Sequence, residues 1–218
     1  MLRTIVGYDN QLEAARAIIR SLQEELEVAR SQMESLWGKN RELEELSITD
    51  ELTGLFNQRH FHDRLEQEVA RNRRQRHPLC LLFFDVDGLK IYNDTYGHLG
   101  GDDVLKAVAR SLSQSIRKNV DSVFRYGGDE FAVILLEAHA EQAVGVAKRV
   151  NRSLQKAGFH DVTLSFGIAE LGTEMDSKTL FKHADDAMYM AKRGRGVKFG
   201  DCIDKIYICG SDRLEASY

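Results

Sequence analysis

Two acidic strand ends carry the chemistry that this chain can do. Asp129 and Glu130 follow the glycine pair Gly127-Gly128, between a short β-type run, Ser122 to Tyr126, and an apolar run, Phe131 to Leu136. The pattern predicts a hairpin with an acidic tip. Paired glycines there are expected to permit positive φ and to leave room for a ligand at the backbone. A second acidic end, Asp85-Val86-Asp87, follows the apolar Leu81-Leu82-Phe83-Phe84. Carboxylate and carbonyl oxygens are the ligands that Mg²⁺ or Mn²⁺ prefers, so the two ends together point to metal-assisted phosphate chemistry.

Elements that could hold these ends together are legible around them. Helices are expected at about 58–74, 101–117, 140–157 and 177–192, with strands at 78–85 and 162–169 and the hairpin over 122–136. Helices alternating with strands, plus one hairpin, predict an α/β fold: a mixed central sheet flanked by helices. The tail from Gly200 to Tyr218 has one apolar run, Ile203 to Cys209, able to add an edge strand.

The bulk properties limit the function classes. A 218-residue chain that is 43% hydrophobic and 29% charged supports a full core and a solvated surface. Its net charge of −4 argues against general nucleic-acid binding, which needs a basic face. Three cysteines, at 80, 202 and 209, are too few and too scattered for a disulfide framework or metal knuckle. Neither a signal peptide nor a membrane-spanning apolar run is visible, so the expectation is a cytoplasmic protein without membrane insertion.

Residues 1–47 read as a separate helical stalk. Core-type positions alternate three and four apart at Leu12, Ala15, Ile19, Leu22, Leu26, Ala29, Met33, Leu36, Asn40 and Leu43. This heptad places Asn40 at an a position, where it is best satisfied by its twin in a parallel two-stranded coiled coil. Glu25 opposite Arg30, and Lys39 opposite Glu44, agree with a parallel homodimer. Ala15, Ala29 and Gly38 make the seam a weak one. The domain expected to follow spans 48–199, with the tail at 200–218.

Over Ile48 to Phe199 the chain resembles the GGDEF-domain family of diguanylate cyclases. The resemblance rests on motifs in order: Asp50-Glu51-Leu52-Thr53-Gly54-Leu55-Phe56-Asn57, Phe84 to Lys90, Asn93-Asp94-Thr95-Tyr96-Gly97-His98, Gly101-Asp102, Gly127 to Phe131, Ser165 to Ala169, and Ala184 to Lys192. It implies condensation of two GTP into cyclic di-GMP with release of pyrophosphate, by two domains facing each other. Asp85, the carbonyl of Val86, Asp129 and Glu130 then match the metal set, and Asp129 or Glu130 the group that helps deprotonate the attacking hydroxyl. Asn93 and Asp102 match the positions that read the guanine edge. Asp102 is equally able to cap a helix at its N-terminus. Gly88, Leu89 and Lys90 match a backbone phosphate cradle, with Gly127, Gly128, Lys192 and Arg195 also at the substrate.

Two departures from the family pattern stand out. The phosphate loop reads Ala191-Lys192-Arg193-Gly194-Arg195-Gly196, one residue short and lacking an asparagine. At the family's inhibitory product site, Lys118 stands where arginine is usual, ahead of Asp121, with Arg117 displaced by one. Lysine lacks arginine's planar fork, so product inhibition through this site is expected to be weak or absent. A catalytically inactive module binding GTP or cyclic di-GMP is the alternative reading. The input signal is open between a separate sensor or regulatory protein, an upstream part and simple mass action.

Overall fold

The computed structural model describes residues 2–46, 48–195, 197–199 and 202–209, with side chains over 16–39, at 43, and over 48–194 and 206–209. The chain divides into two compact units, Met1–Ser47 and Ile48–Tyr218. The first is a single helix, α1 (Leu2–Leu46). Its described seam residues Ile19, Leu22, Leu26, Met33 and Leu36 are all more than half exposed in the single chain. The side chains of Leu12, Ala15, Asn40 and Glu44, on which the register also draws, lie outside the described residues. Among the described residues no helix is long and apolar enough to cross a membrane.

The second unit runs α2 (Gln58–Gln75), β1 (Leu79–Asp87), α3 (Leu89–Ser115), β2 (Ser122–Gly127), β3 (Glu130–Leu136), α4 (Ala140–Lys156), β4 (Thr163–Glu170), α5 (Ser177–Met190), a π turn (Ala191–Arg195), β5 (Val197–Phe199) and β6 (Cys202–Cys209). The strands form one mixed sheet in the order β2-β3-β1-β4-β6-β5. β1 pairs antiparallel with both β3 and β4, and β4 pairs parallel with β6.

Because β1 is central, its side chains alternate between two cores. Cys80, Leu82, Phe84 and Val86 face a core shared with α3 and α4. Leu79, Leu81 and Phe83 face the other, shared with α2 and α5. Burial on both faces explains why β1 reads as a continuous apolar run rather than an alternating one. Such a strand is a stiff support for the acidic residue at its end.

Two elements differ from the sequence expectation. The helix expected from Gly101 begins at Leu89, with a break at Gly97 (φ 80°, ψ 166°). Four glycines between 88 and 101 mask the helical period, although only Gly88 and Gly97 take left-handed φ. β6 is not an edge strand: it lies between β4 and β5, so the sheet continues to Cys209 and the edge goes to the three-residue β5. Positions 200, 201 and 210–218 of the tail lie outside the described residues.

Candidate active site

The antiparallel register sets the site. β1 and β3 pair so that Asp85 stands directly opposite Glu130, and the Val86 amide donates to the Asp129 carbonyl at 3.0 Å. Opposed carboxylates on neighbouring strands repel, and a cation between them removes the conflict. Burial pushes the Asp85 carboxyl up, opposed by a hydrogen bond from Lys192, and Asp129 and Asp87 push it further. Glu130 is also raised, first by burial and then by Asp85, Asp129 and Asp185. The acids therefore form one electrostatic group built at a cost in stability, which is the mark of a ligand site.

The residue that answers them is Lys192, whose Nζ lies 2.7 Å from Asp85 Oδ2. Burial alone would lower this ammonium, but Asp85, Asp129 and Asp87 hold it above its ordinary value. Among the described residues no three acidic, histidine or cysteine side chains converge as a ready-made metal cluster. The oxygen chemistry still fits a divalent cation. Asp85 and Glu130 face each other across one strand pair, Asp129 is adjacent, and a positive charge already sits against Asp85.

Asp87 has a different role from Asp85. Its carboxylate accepts from Ser165 Oγ at 3.0 and 2.8 Å and from Thr163 Oγ1 at 3.0 Å, both on β4. It locks the end of β1 to β4 and so fixes the direction of its neighbours.

The glycine pair does not supply the expected positive φ, since neither Gly127 nor Gly128 takes a left-handed φ, but it does leave room. A methyl group on Gly127 would lie 3.3 Å from Glu130 Oε2, so this glycine makes room for the carboxylate. One on Gly128 would meet nothing within 4 Å, leaving the tip open to an approaching ligand. The tip is held from behind by Arg125, whose Nε and Nη2 donate to the Gly128 carbonyl at 3.2 and 2.8 Å. The same guanidinium donates to both oxygens of Asp50 at 3.1 Å. Asp50 is held in turn by the amide and hydroxyl of Thr53, at 2.9 and 2.6 Å. Arg125 is the clamp between the domain's first turn and the acidic tip. A separation of 75 residues hides that contact from local pattern reading.

Gly88 takes a left-handed φ of 78° as the N-cap of α3, so the amides of Leu89 and Lys90 lie in the first turn, where helices lack internal acceptors. Such amides, with the helix dipole, can receive an anion. Further along α3, Asn93 Oδ1 is buried with no hydrogen-bond partner. It lies against Gly101, where an added methyl group would overlap it and come within 2.8 Å of Cγ. Asp102 follows at once and is half-buried. It is not a helix cap, since α3 starts well before it. An orphaned acceptor, with a carboxylate on the residue after the glycine it lies against, suits a ligand edge that presents N–H donors.

At the other end of α5, Gly167 of β4 allows the helix backbone to lie directly on the sheet: a methyl group there would overlap the Ala184 carbonyl and the Met188 amide. This contact sets α5 and with it Lys192. Arg193 turns instead onto the Tyr189 ring, 4.8 Å from its centroid. The side chain of Arg195 lies outside the described residues. At the inhibitory-site positions Lys118 is exposed, and Asp121 is held by Arg117 rather than by Lys118. Asp121 accepts from the Arg117 amide, Nε and Nη2 at 2.9, 3.0 and 2.7 Å and from the Leu136 amide at 3.3 Å.

Comparison with known proteins decides the family. Residues 47–197 match the family described as diguanylate cyclase, GGDEF domain. The chain belongs to the GGDEF family. It is 33% identical over 213 residues to the diguanylate cyclase DgcP of Pseudomonas aeruginosa, covering 95% of this chain and 28% of that protein. Among solved structures, the coiled coil and GGDEF domain of DgcB from Caulobacter crescentus, in complex with c-di-GMP, superimposes with a TM-score of 0.65 at 25% identity. That match covers 88% of this chain and all 100% of the other. The diguanylate cyclase SiaD of Pseudomonas aeruginosa, in complex with its activator SiaC, gives 0.62 at 30% identity, over 88% and 76% of the two chains. The chain spans about a third of the length of the curated relatives it matches.

Proposed function

We propose that this GGDEF chain is a diguanylate cyclase: two GTP are joined into cyclic di-GMP, each 3′-oxygen bonding to the partner's α-phosphorus as pyrophosphate leaves. The observation that carries the reading is the opposition of Asp85 and Glu130 across β1 and β3, with Asp129 beside them. Asp85, the Val86 carbonyl, Asp129 and Glu130 would hold Mg²⁺ or Mn²⁺. When bound, such a cation supplies charge neutralisation for the phosphoryl oxygens and acidifies a coordinated hydroxyl.

The chain's own groups do the rest. Amides of the α3 first turn, around Gly88, Leu89 and Lys90, receive the terminal phosphates, with Lys192 and Arg195 as cations. Asn93 and Asp102 accept from the guanine N1–H and N2–H₂. A base without those donors leaves both acceptors unsatisfied, which penalises adenine. Asp129 or Glu130, at the tip beside the reacting phosphates, helps to take the proton from the attacking hydroxyl. Arg125 holds the Gly127-Gly128 tip so that Asp129 and Glu130 keep their aim.

Each domain supplies one half-reaction, so two copies must face each other. The exposed apolar seam of α1 supports a parallel coiled-coil homodimer that raises the local concentration of the second domain. The likeness to SiaD, solved with its activator, supports a separate regulatory protein as one source of input. Incubating purified protein with GTP and Mg²⁺, and resolving products by chromatography, tests the function. Cyclic di-GMP from the parent and none from Glu130→Ala is the expected result. Nucleotide binding without turnover would replace the enzyme with a GTP-binding signalling module.

A further inference from the structure

The ion pair between Lys192 and Asp85 has a consequence beyond phosphate binding. Asp85 is the most enclosed acid of the group, with a side chain 7% exposed, and Lys192 Nζ touches its Oδ2 at 2.7 Å. A divalent cation coordinated by that oxygen and an ammonium hydrogen-bonded to it are like charges competing for one position. Lys192 therefore covers one of the two oxygens that Asp85 can offer a metal and neutralises its charge.

The lysine is also placed to leave. Its side chain is 36% exposed, and four methylenes give it reach. Ala191, just before it, is fully buried and anchors the end of α5, which Gly167 holds against the sheet. Lys192 itself lies in the π turn Ala191–Arg195, which contains Gly194 in a left-handed conformation (φ 71°). Such turns recur at functional sites. The anchor is rigid and the side chain is free to pivot, so exchange needs no movement of α5.

We propose that Lys192 is a displaceable internal cation that couples metal binding to nucleotide binding. Without nucleotide it neutralises Asp85 and keeps metal out. When GTP brings its phosphates, the ammonium transfers from the carboxylate to the phosphate oxygens and frees Asp85 for the divalent ion. Metal and nucleotide then each strengthen the other's binding by the same factor, as linkage requires. This inference rests on the metal assignment made above for Asp85.

The test is Mn²⁺ binding to the nucleotide-free protein, read from the electron paramagnetic resonance signal of free Mn²⁺. The expected result is that Lys192→Met binds Mn²⁺ about tenfold more tightly than the parent, while Lys192→Arg, which keeps the charge, does not. Adding Asp85→Asn to Lys192→Met should abolish the gain. Thermal melts of all variants check that the fold is retained. Unchanged or weaker Mn²⁺ binding by Lys192→Met overturns the plug, and cyclic di-GMP synthesis by the parent would then leave the proposed function standing. A gain that survives Asp85→Asn overturns both the plug and the metal assignment.

Discussion

Replacing Gly101 by alanine should separate nucleotide recognition from stability. The added methyl group would overlap Asn93 Oδ1 and lie 2.8 Å from its Cγ and 3.2 Å from its Nδ2. Every neighbour in the way belongs to one short side chain, so Asn93 swings aside and the backbone stays put. In a helix interior, alanine over glycine gains about 1 kcal/mol, and displacing one rotamer costs about as much. The melting temperature should move by less than about 3 °C. Nucleotide affinity should respond far more. Oδ1 is buried without a partner, an arrangement costing roughly 1–3 kcal/mol that a guanine donor bound as proposed would relieve. Losing that acceptor should weaken GTP binding by about ten- to a hundredfold. Calorimetric titration with a non-hydrolysable GTP analogue, beside a thermal melt, measures both. A dissociation constant within twofold of the parent's, with an unchanged melt, would refute the reasoning and remove Asn93 from the guanine site.

Three other outcomes follow from the electrostatics. Glu130→Gln should abolish turnover yet raise the melting temperature at pH 7, because Glu130 is held above its ordinary value. A raised carboxyl costs the fold stability as pH climbs from the ordinary glutamate range through the raised value, so the advantage should vanish below about pH 4. An unchanged melt at pH 7 would show that the acids are not in conflict. Asp50 has the opposite sign: burial would raise it, but bonds from Thr53 and Arg125 outweigh that and lower it. Its contribution exists above the unfolded value and fades as pH falls through the depressed one. Asp50→Asn should therefore cost about 1–2 kcal/mol at pH 7 in urea denaturation, with the difference shrinking below about pH 4. Cyclic di-GMP should fail to inhibit the parent at low concentration, and Asp121→Ala should lower stability instead of relieving inhibition, since Asp121 is committed to Arg117 and the Leu136 amide. Tight inhibition abolished by Asp121→Ala would contradict this.

Much of the fold was legible because its elements are locally marked. Asn57 caps α2 by accepting from the His60 amide, Asp176 caps α5 by accepting from the Thr179 amide, and apolar runs bound the hairpin. The acids were legible for the same reason, sitting at the ends of recognisable strands. What stayed hidden depends on contacts distant in sequence. Local signals for the parallel pairing of β6 with β4 are absent, so an internal strand looked like an edge. Arg125 and Asp50 are ordinary surface types until the chain brings them together. The motif around Lys192 led to the expectation of a phosphate contact, whereas its bond to Asp85 joins residues far apart in the sequence. At the glycines the residue type was informative and the usual explanation was not, since Gly127 and Gly101 are there for space rather than for φ.

The central claim is that Asp85, Asp129 and Glu130 surround a divalent cation beside GTP. A crystal grown with Mn²⁺ and a non-hydrolysable GTP analogue, with anomalous scattering collected at the manganese edge, tests it most directly. The expected map shows manganese within about 2.3 Å of an Asp85 oxygen, Asp129 or Glu130 also coordinating, and Lys192 moved onto phosphate. Manganese elsewhere, with Lys192 still bonded to Asp85 and nucleotide in place, would contradict it.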